Sequence, residues 1–162
     1  MSKLVACIVM AAACTALPAL SLAGASGNCT SGDKKLDVVD GVIYKTPRYG
    51  DSKNVPTIAL ADFKLDANVA AARDPGGAIS TQRMKSHGGV VQIMMGADGV
   101  ILLNANFSGI SFSDSPGSGS IGELKLSRND SSEAAGHYSF KGKTADDVSC
   151  DFTFDLVYAK SN

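Results

Sequence analysis

Near its C-terminus the chain alternates strictly: Cys150, Phe152, Phe154, Leu156 and Tyr158 are separated by Asp151, Thr153, Asp155 and Val157. Successive side chains of a strand point to opposite faces, so this pattern buries one face and leaves the other largely polar. A helix would scatter the same residues around its axis. A slip of one residue would carry the aromatic rings into water, so the pairing register is specified as well. The segment therefore commits the fold to a sheet with one covered face, and it places a cysteine on that face.

The preceding residues continue the pattern. Residues 136–143 set Tyr138 and Phe140 against His137, Ser139 and Lys141, and residues 121–127 set Leu124 and Leu126 against Glu123 and Lys125. The turn-forming run Asn129-Asp130-Ser131-Ser132 lies between them. Connections this short exclude helical crossovers, so the three segments are expected to form an antiparallel meander. Residues 90–95 and 100–107 are apolar on both faces and flank Ala97-Asp98-Gly99. Asp-Gly between apolar strands marks a hairpin, and two apolar faces mark the centre of a sandwich or a covered sheet. Asp40-Gly41 repeats the hairpin pattern between residues 36–39 and 42–45, and residues 56–60 add a short strand.

Only residues 66–73 read as helix. Asp66 would cap it, Ala67, Ala70, Ala71 and Ala72 would fill it, and Asp74-Pro75-Gly76-Gly77 would stop it. Residues 74–86 and the serine-, glycine- and proline-rich residues 113–120 are expected as exposed loops. Neither an internal repeat nor a domain boundary is visible. The expected fold is mainly β, an antiparallel β-sandwich or flattened barrel with one short helix.

The N-terminus explains where such a domain would work. Lys3 is the only charge before Asp33, and an apolar, alanine-rich run extends to Leu22 before Ala23-Gly24-Ala25. A positive start, an apolar segment and a small-x-small end form the pattern of a cleavable secretory signal. Residues 1–25 are assigned to that signal and residues 26–162 to a single β-rich domain. Pro18 breaks the apolar run, whose length is marginal for the roughly 20 apolar residues of a membrane span. Cys14 follows Ala11-Ala12-Ala13; lipid attachment favours a larger aliphatic residue three positions before the cysteine, which argues against an anchored lipoprotein. The mature domain is thus expected in the periplasm or outside the cell, with no membrane span.

Cysteine usage fits that compartment. Cys7 and Cys14 lie in the signal, leaving Cys29 and Cys150 to pair in an oxidising environment. Their bridge would close a loop of about 120 residues, which a chain-entropy treatment values at about 4–5 kcal/mol. The formal net charge is −1, and the longest basic cluster is the pair Lys34-Lys35. Binding nucleic acid or an anionic membrane needs a clustered positive surface, which counts against both partner classes.

No arrangement of residues amounts to a catalytic or metal signature. Gly117-Ser118-Gly119-Ser120-Ile121-Gly122 matches a dinucleotide-binding pattern, but the residues after it alternate like a strand, whereas that pattern must open a helix. His87 and His137 are the only histidines, and no G-x-S-x-G elbow accompanies them. Met84, His87, Met94 and Met95 offer soft ligands, but Met94 and Met95 point to opposite sides of a strand. Asp151 and Asp155 share a face at about 13 Å, too far for one calcium ion. Asn28-Cys29-Thr30, Asn106-Phe107-Ser108 and Asn129-Asp130-Ser131 match the glycosylation sequon, which matters only in a eukaryotic source.

Leu65-Asp66-Ala67, His87-Gly88-Gly89-Val90, Asp98-Gly99-Val100-Ile101, Gly117-Ser118-Gly119 and Phe152-Thr153-Phe154 occur in an order that resembles a set of uncharacterised exported bacterial proteins. The resemblance implies a small exported β-rich domain and supplies no activity. The expected function is a non-enzymatic binding module for a protein or envelope component, without cofactor or metal. Its contact residues are sought in the two expected loops, at Asp74, Arg83, Lys85, Ser113, Asp114 and Ser118. The alternatives are a lipocalin-like barrel carrying a small apolar ligand, motivated by the doubly apolar strands, and a hydrolase centred on His87 or His137.

Overall fold

The alternating segments become ten strands in two sheets, seen here in a computed structural model that describes residues 24–47, 54–66, 68–69, 71–115, 121–142 and 147–158. In chain order the strands are β1 (Gly24–Ser31), β2 (Lys34–Asp37), β3 (Asp40–Pro47), β4 (Asn54–Ala61), β5 (Val90–Gly96), β6 (Gly99–Phe107), β7 (Ile110–Asp114), β8 (Glu123–Asn129), β9 (Glu133–Lys141) and β10 (Ser149–Val157). One helix, α1 (Pro75–Ser86), lies between β4 and β5. The first sheet has the order β2-β1-β10-β9-β8 and the second β3-β4-β5-β6-β7, with every neighbouring pair antiparallel. The sheets pack face to face and do not close into a barrel, so the flattened-barrel expectation is set aside.

The expected meander is the β8-β9-β10 half of the first sheet. Its covered face carries Tyr138, Phe140, Phe152, Phe154 and Leu156, which meet Ile43, Ile58, Val91, Ile93 and Leu103 of the second sheet in one core. Tyr138 and Phe152 stack with ring centroids 6.5 Å apart, and Phe112 tilts against Phe140 at 5.5 Å across the sheets. The buried Tyr138 hydroxyl has no hydrogen-bond partner among the described residues, and burial together with the charge of Asp114 drives its pKa upward. Cys29 and Cys150 face each other directly across β1 and β10 and form the expected disulfide inside this core.

Asp98-Gly99 does join a hairpin, β5 to β6. Asp40-Gly41 does not, and that expectation is corrected. β2 and β3 belong to different sheets, so residues 38–39 carry the chain across the sandwich. Asp40 is used there as a clamp: its carboxylate accepts from the amides of Gly41 and Leu65 at 2.9 and 3.0 Å and pairs with Lys64 at 3.1 Å. β1 begins at Gly24, two residues before the expected start of the mature domain, and Ala25 packs against the core opposite Phe154. Gly27 of β1 adopts φ +120°, and a Cβ there would lie 2.1 Å from the Asp151 carbonyl oxygen.

The helix is displaced from its expected place. Residues 66–73, where described, form turns and bends, whereas α1 occupies residues expected to be loop. The Asp-Pro pair, expected to stop a helix, starts one. Asp74 is the N-cap, accepting from the Gly77 amide at 3.0 Å, and Pro75 sits at the head of the helix, where a missing N–H costs nothing. Gly77 allows the carboxylate this close, since a Cβ there would lie 2.3 Å from Asp74 Oδ2. Asp74→Ala should lower stability by about 1 kcal/mol, read as a shift in the urea midpoint at unchanged slope; an unmoved midpoint would discard the capping role.

α1 covers the outer face of the second sheet. Its only buried residue, Ile79, packs with Tyr44, Ala59, Ala61 and Val90 in a second, smaller core. This layer accounts for the doubly apolar β5. Gln82 pins the helix to the preceding turn, donating to the Lys64 carbonyl and accepting from the Asp66 amide, both at 3.1 Å. Burial pushes the pKa of the Tyr44 phenol up to about 12, and its hydroxyl accepts from Gln92 Nε2 at 3.1 Å. No described helix is long and apolar enough to cross a membrane.

Candidate functional site

The contact residues expected in two loops lie on a helix and a strand. Asp74, Arg83 and Lys85 belong to the cap and last turn of α1, and Ser113 and Asp114 end β7. Ser118 lies outside the described residues. The fold does not bring the described members of the set together: Arg83 alone of them lines the cleft of about 480 Å³ left where the C-terminal turn of α1 approaches the β6–β7 hairpin. Arg83, Met84 and His87 form one wall; Asn106, Ser108, Gly109 and Ser111 form the other. Asp74 does not line this cleft and serves the helix cap instead.

Each wall follows from local rules. His87 ends α1 in the left-handed conformation at φ 54°, and its backbone N–H returns to the Arg83 carbonyl. Ser108 and Gly109, at φ 48° and 81°, form the two-residue turn between Phe107 and Ile110, as hairpin twist favours. Because β6 and β7 alternate, Asn106 faces Ser111 and Asn104 faces Ser113 on the outer side of the sheet, while Ala105 and Phe112 face the core. That wall thus offers the Asn106 amide and the Ser108 and Ser111 hydroxyls. Met84, 60% exposed, adds an apolar contact.

Charges of both signs border the cleft: the Asp62 carboxylate lies 2.6 Å from where a Cβ on Gly88 would stand and accepts from the Gly89 amide at 2.8 Å. No carboxylate lines the cleft, and Arg83 has no ion-pair partner among the described residues. The Lys34 ammonium of β2 borders the far side, reaching to within 3.9 Å of where a Cβ on Gly109 would stand. The outer face of the first sheet is different. There Lys125 pairs with Glu123 at 2.9 Å, Arg128 with Glu133 at 2.9 Å and with Asp155 at 2.5 Å. Hydrogen bonding and charge from Lys125 hold Glu123 below the usual carboxylate range.

That neutralised face also holds His137, whose Nε2 lies 3.0 Å from Asp151 Oδ1. The pair sits on an open strand surface beside Thr153, and neither Thr153 nor Ser139 bonds to the imidazole. A nucleophile, a base and an orienting acid are therefore not assembled there. Asp155 pairs with Arg128, and Asp151 lies against the His137 ring. The soft-ligand set is divided: Met84 and His87 share the cleft, whereas Met95 is in the inter-sheet core. Gly122 leads into β8, a strand, so the glycine-serine motif lacks the helix that a phosphate site requires.

Asn106, Ser111 and Lys34 join the site only through the fold and are not among the residues expected from sequence. A signal for the first is present: Asn104-Ala105-Asn106-Phe107 alternates amide with apolar residue inside an otherwise apolar strand. No family model matches the chain, and comparison with curated proteins and with solved structures found no match.

Proposed function

We propose that this chain is an exported, non-enzymatic binding module for a protein or envelope component, and that it engages its partner through the cleft between α1 and the β6–β7 hairpin. One observation carries this reading. Arg83, with no carboxylate partner among the described residues, lines the cleft with the Asn106 amide and the Ser108 and Ser111 hydroxyls, whereas Lys125, Arg128 and His137 on the opposite outer face are each paired. An unpaired charge beside unspent donors and acceptors suits recognition, because a partner can supply the missing counter-charge and hydrogen bonds. The disulfide agrees with work in an oxidising compartment.

The doubly apolar β5 that motivates the apolar-carrier alternative divides its residues between two cores, with Val91, Ile93 and Met95 between the sheets and Val90 beneath α1. The test is retention of envelope and secreted material from the source organism on the oxidised mature chain, beside a double variant, Arg83→Glu with Ser111→Arg. A specific partner should be held by the native chain and reduced at least tenfold by the variant, with its thermal midpoint unchanged. An identical retained set, or an empty one at micromolar bait, would reject the cleft as a recognition surface.

A further inference from the structure

Resting on that reading of the cleft, we propose that the partner presents an acidic, extended polypeptide segment that adds to the free edge of β7 as a new strand, with one of its carboxylates held by Arg83.

The edge itself motivates strand addition. A sheet edge exposes unpaired amides and carbonyls unless it is short, bulged, charged or interrupted by proline. Three of the four edges here carry such protection. β2 has only four residues. β8 is bulged between Leu126 and Arg128 and bears Glu123, Lys125 and Arg128. β3 ends at Pro47 and is met at Ile43 by a parallel bridge from Tyr158. β7 has regular register with β6 through all five pairs, contains no proline, and carries no charge before Asp114. Among the described residues its only strand neighbour is β6.

Register identifies the groups on offer. The two-residue turn makes Phe107–Ile110 the hydrogen-bonded closing pair, so the hydrogen-bonded pairs recur at Phe112 and Asp114. The N–H and C=O groups of Ser111 and Ser113 consequently point away from β6. Their side chains lie on the outer face, and Ser111 lines the cleft with Arg83. A strand docked on Ser111 and Ser113 would bring its outward side chains beside the guanidinium.

Charge selects the kind of strand. Among the described residues the cleft is lined by Arg83 and by no carboxylate; Lys34 borders it beside Gly109, and Asp62 borders it beside Gly88, where its carboxylate already accepts from the Gly89 amide. Asp114 is the nearby acid on the strand; it pairs with Leu103 at the end of β7 remote from the turn, and its charge acts on Tyr138. An acidic side chain is therefore favoured near Ser111. Main-chain bonds would supply affinity and the charge would set partner choice.

The experiment is selection from a displayed library of random twelve-residue peptides on the oxidised exported chain. Enriched peptides are expected to carry Asp or Glu at alternate positions among β-branched residues, to shift the amide resonances of Ser111 and Ser113, and to bind Arg83→Glu at least tenfold more weakly. Lys125→Glu on the opposite face should leave binding unchanged. Replacing the key acid by lysine should restore binding to Arg83→Glu, which separates a charge contact from a folding defect. N-methylation of an edge-facing peptide amide should abolish binding. Peptides that are not acidic, that ignore Arg83→Glu, or that tolerate methylation at every amide would overturn the proposal, as would a library that yields no binders. If the envelope experiment captures a partner through the cleft while no acidic peptide is selected, strand addition fails and the binding-module reading stands. If neither binds, both fail.

Discussion

Replacing both Cys29 and Cys150 by alanine should lower the stability of this domain by about 3–5 kcal/mol. The two residues are 121 apart in sequence yet are direct cross-strand partners, so the bridge removes most of the freedom with which the unfolded chain could separate β1 from β10. Both side chains are also buried, at 0% and 2% exposure, and two alanines would leave unfilled space beside Leu36 and Phe140. Total stabilities of about 5–15 kcal/mol make this a large share, and the thermal midpoint should fall by roughly 10–20 °C. Circular dichroism melts of the double variant test it. A fall of less than about 3 °C, under 1 kcal/mol for a domain of this size, would show that the sheet register and core hold β1 in place without the bridge. Changing both cysteines matters, because a single change leaves a thiol in the core whose packing confuses the comparison.

Phe152→Ala should cost about 3–5 kcal/mol by a different route. Phe152 is fully buried, stacks on Tyr138 at 6.5 Å and sits in the central strand of its sheet, with β1 and β9 on either side. Its neighbours are held by two hydrogen-bonded ladders and cannot collapse into the vacated volume, so the cavity cost adds to the lost burial. Phe152→Leu, which keeps most of the volume, should lose less than half as much. Urea unfolding followed at one tyrosine signal and one backbone signal measures both. Equal losses for leucine and alanine would mean that ring stacking, rather than filled volume, sets the cost at this position.

These two expectations rest on features of different visibility. The alternation around Phe152 specifies a strand, its buried face and its register from the residues alone, because a period of two has one physical solution. The same logic identifies β8 and β9, the Asp98-Gly99 turn between two apolar runs identifies β5 and β6, and the count of cysteines outside the expected signal identifies the disulfide. β1 and β7 escape it. β1 is rich in glycine and small polar residues, GASGNCTS, and owes its conformation to the partner strand β10 and the bridge rather than to its own pattern. β7, ISFSD, runs into a serine- and glycine-rich stretch of turn formers that hides its end.

The site is legible only in fragments. Arg83, Ser113 and Asp114 stand out in the sequence as loop residues, yet α1 and β7 hold them. Asp-Pro-Gly-Gly is ambiguous in isolation, because aspartate and proline end one helix and begin the next with equal ease. Burial of Ile79 against Tyr44 and Val90 decides in favour of beginning. By itself the sequence determined what depends on neighbours along the chain, such as strand periodicity and the Asp98-Gly99 hairpin, together with the one cysteine pairing left outside the expected signal. The tertiary structure alone decided that Asp40 stands at a crossing between sheets, that the helix covers the second sheet, and that Arg83 meets Asn106 and Ser111 across a cleft. Those outcomes depend on contacts between residues far apart in sequence, where local preferences are weaker than the free energy of burying one surface against another.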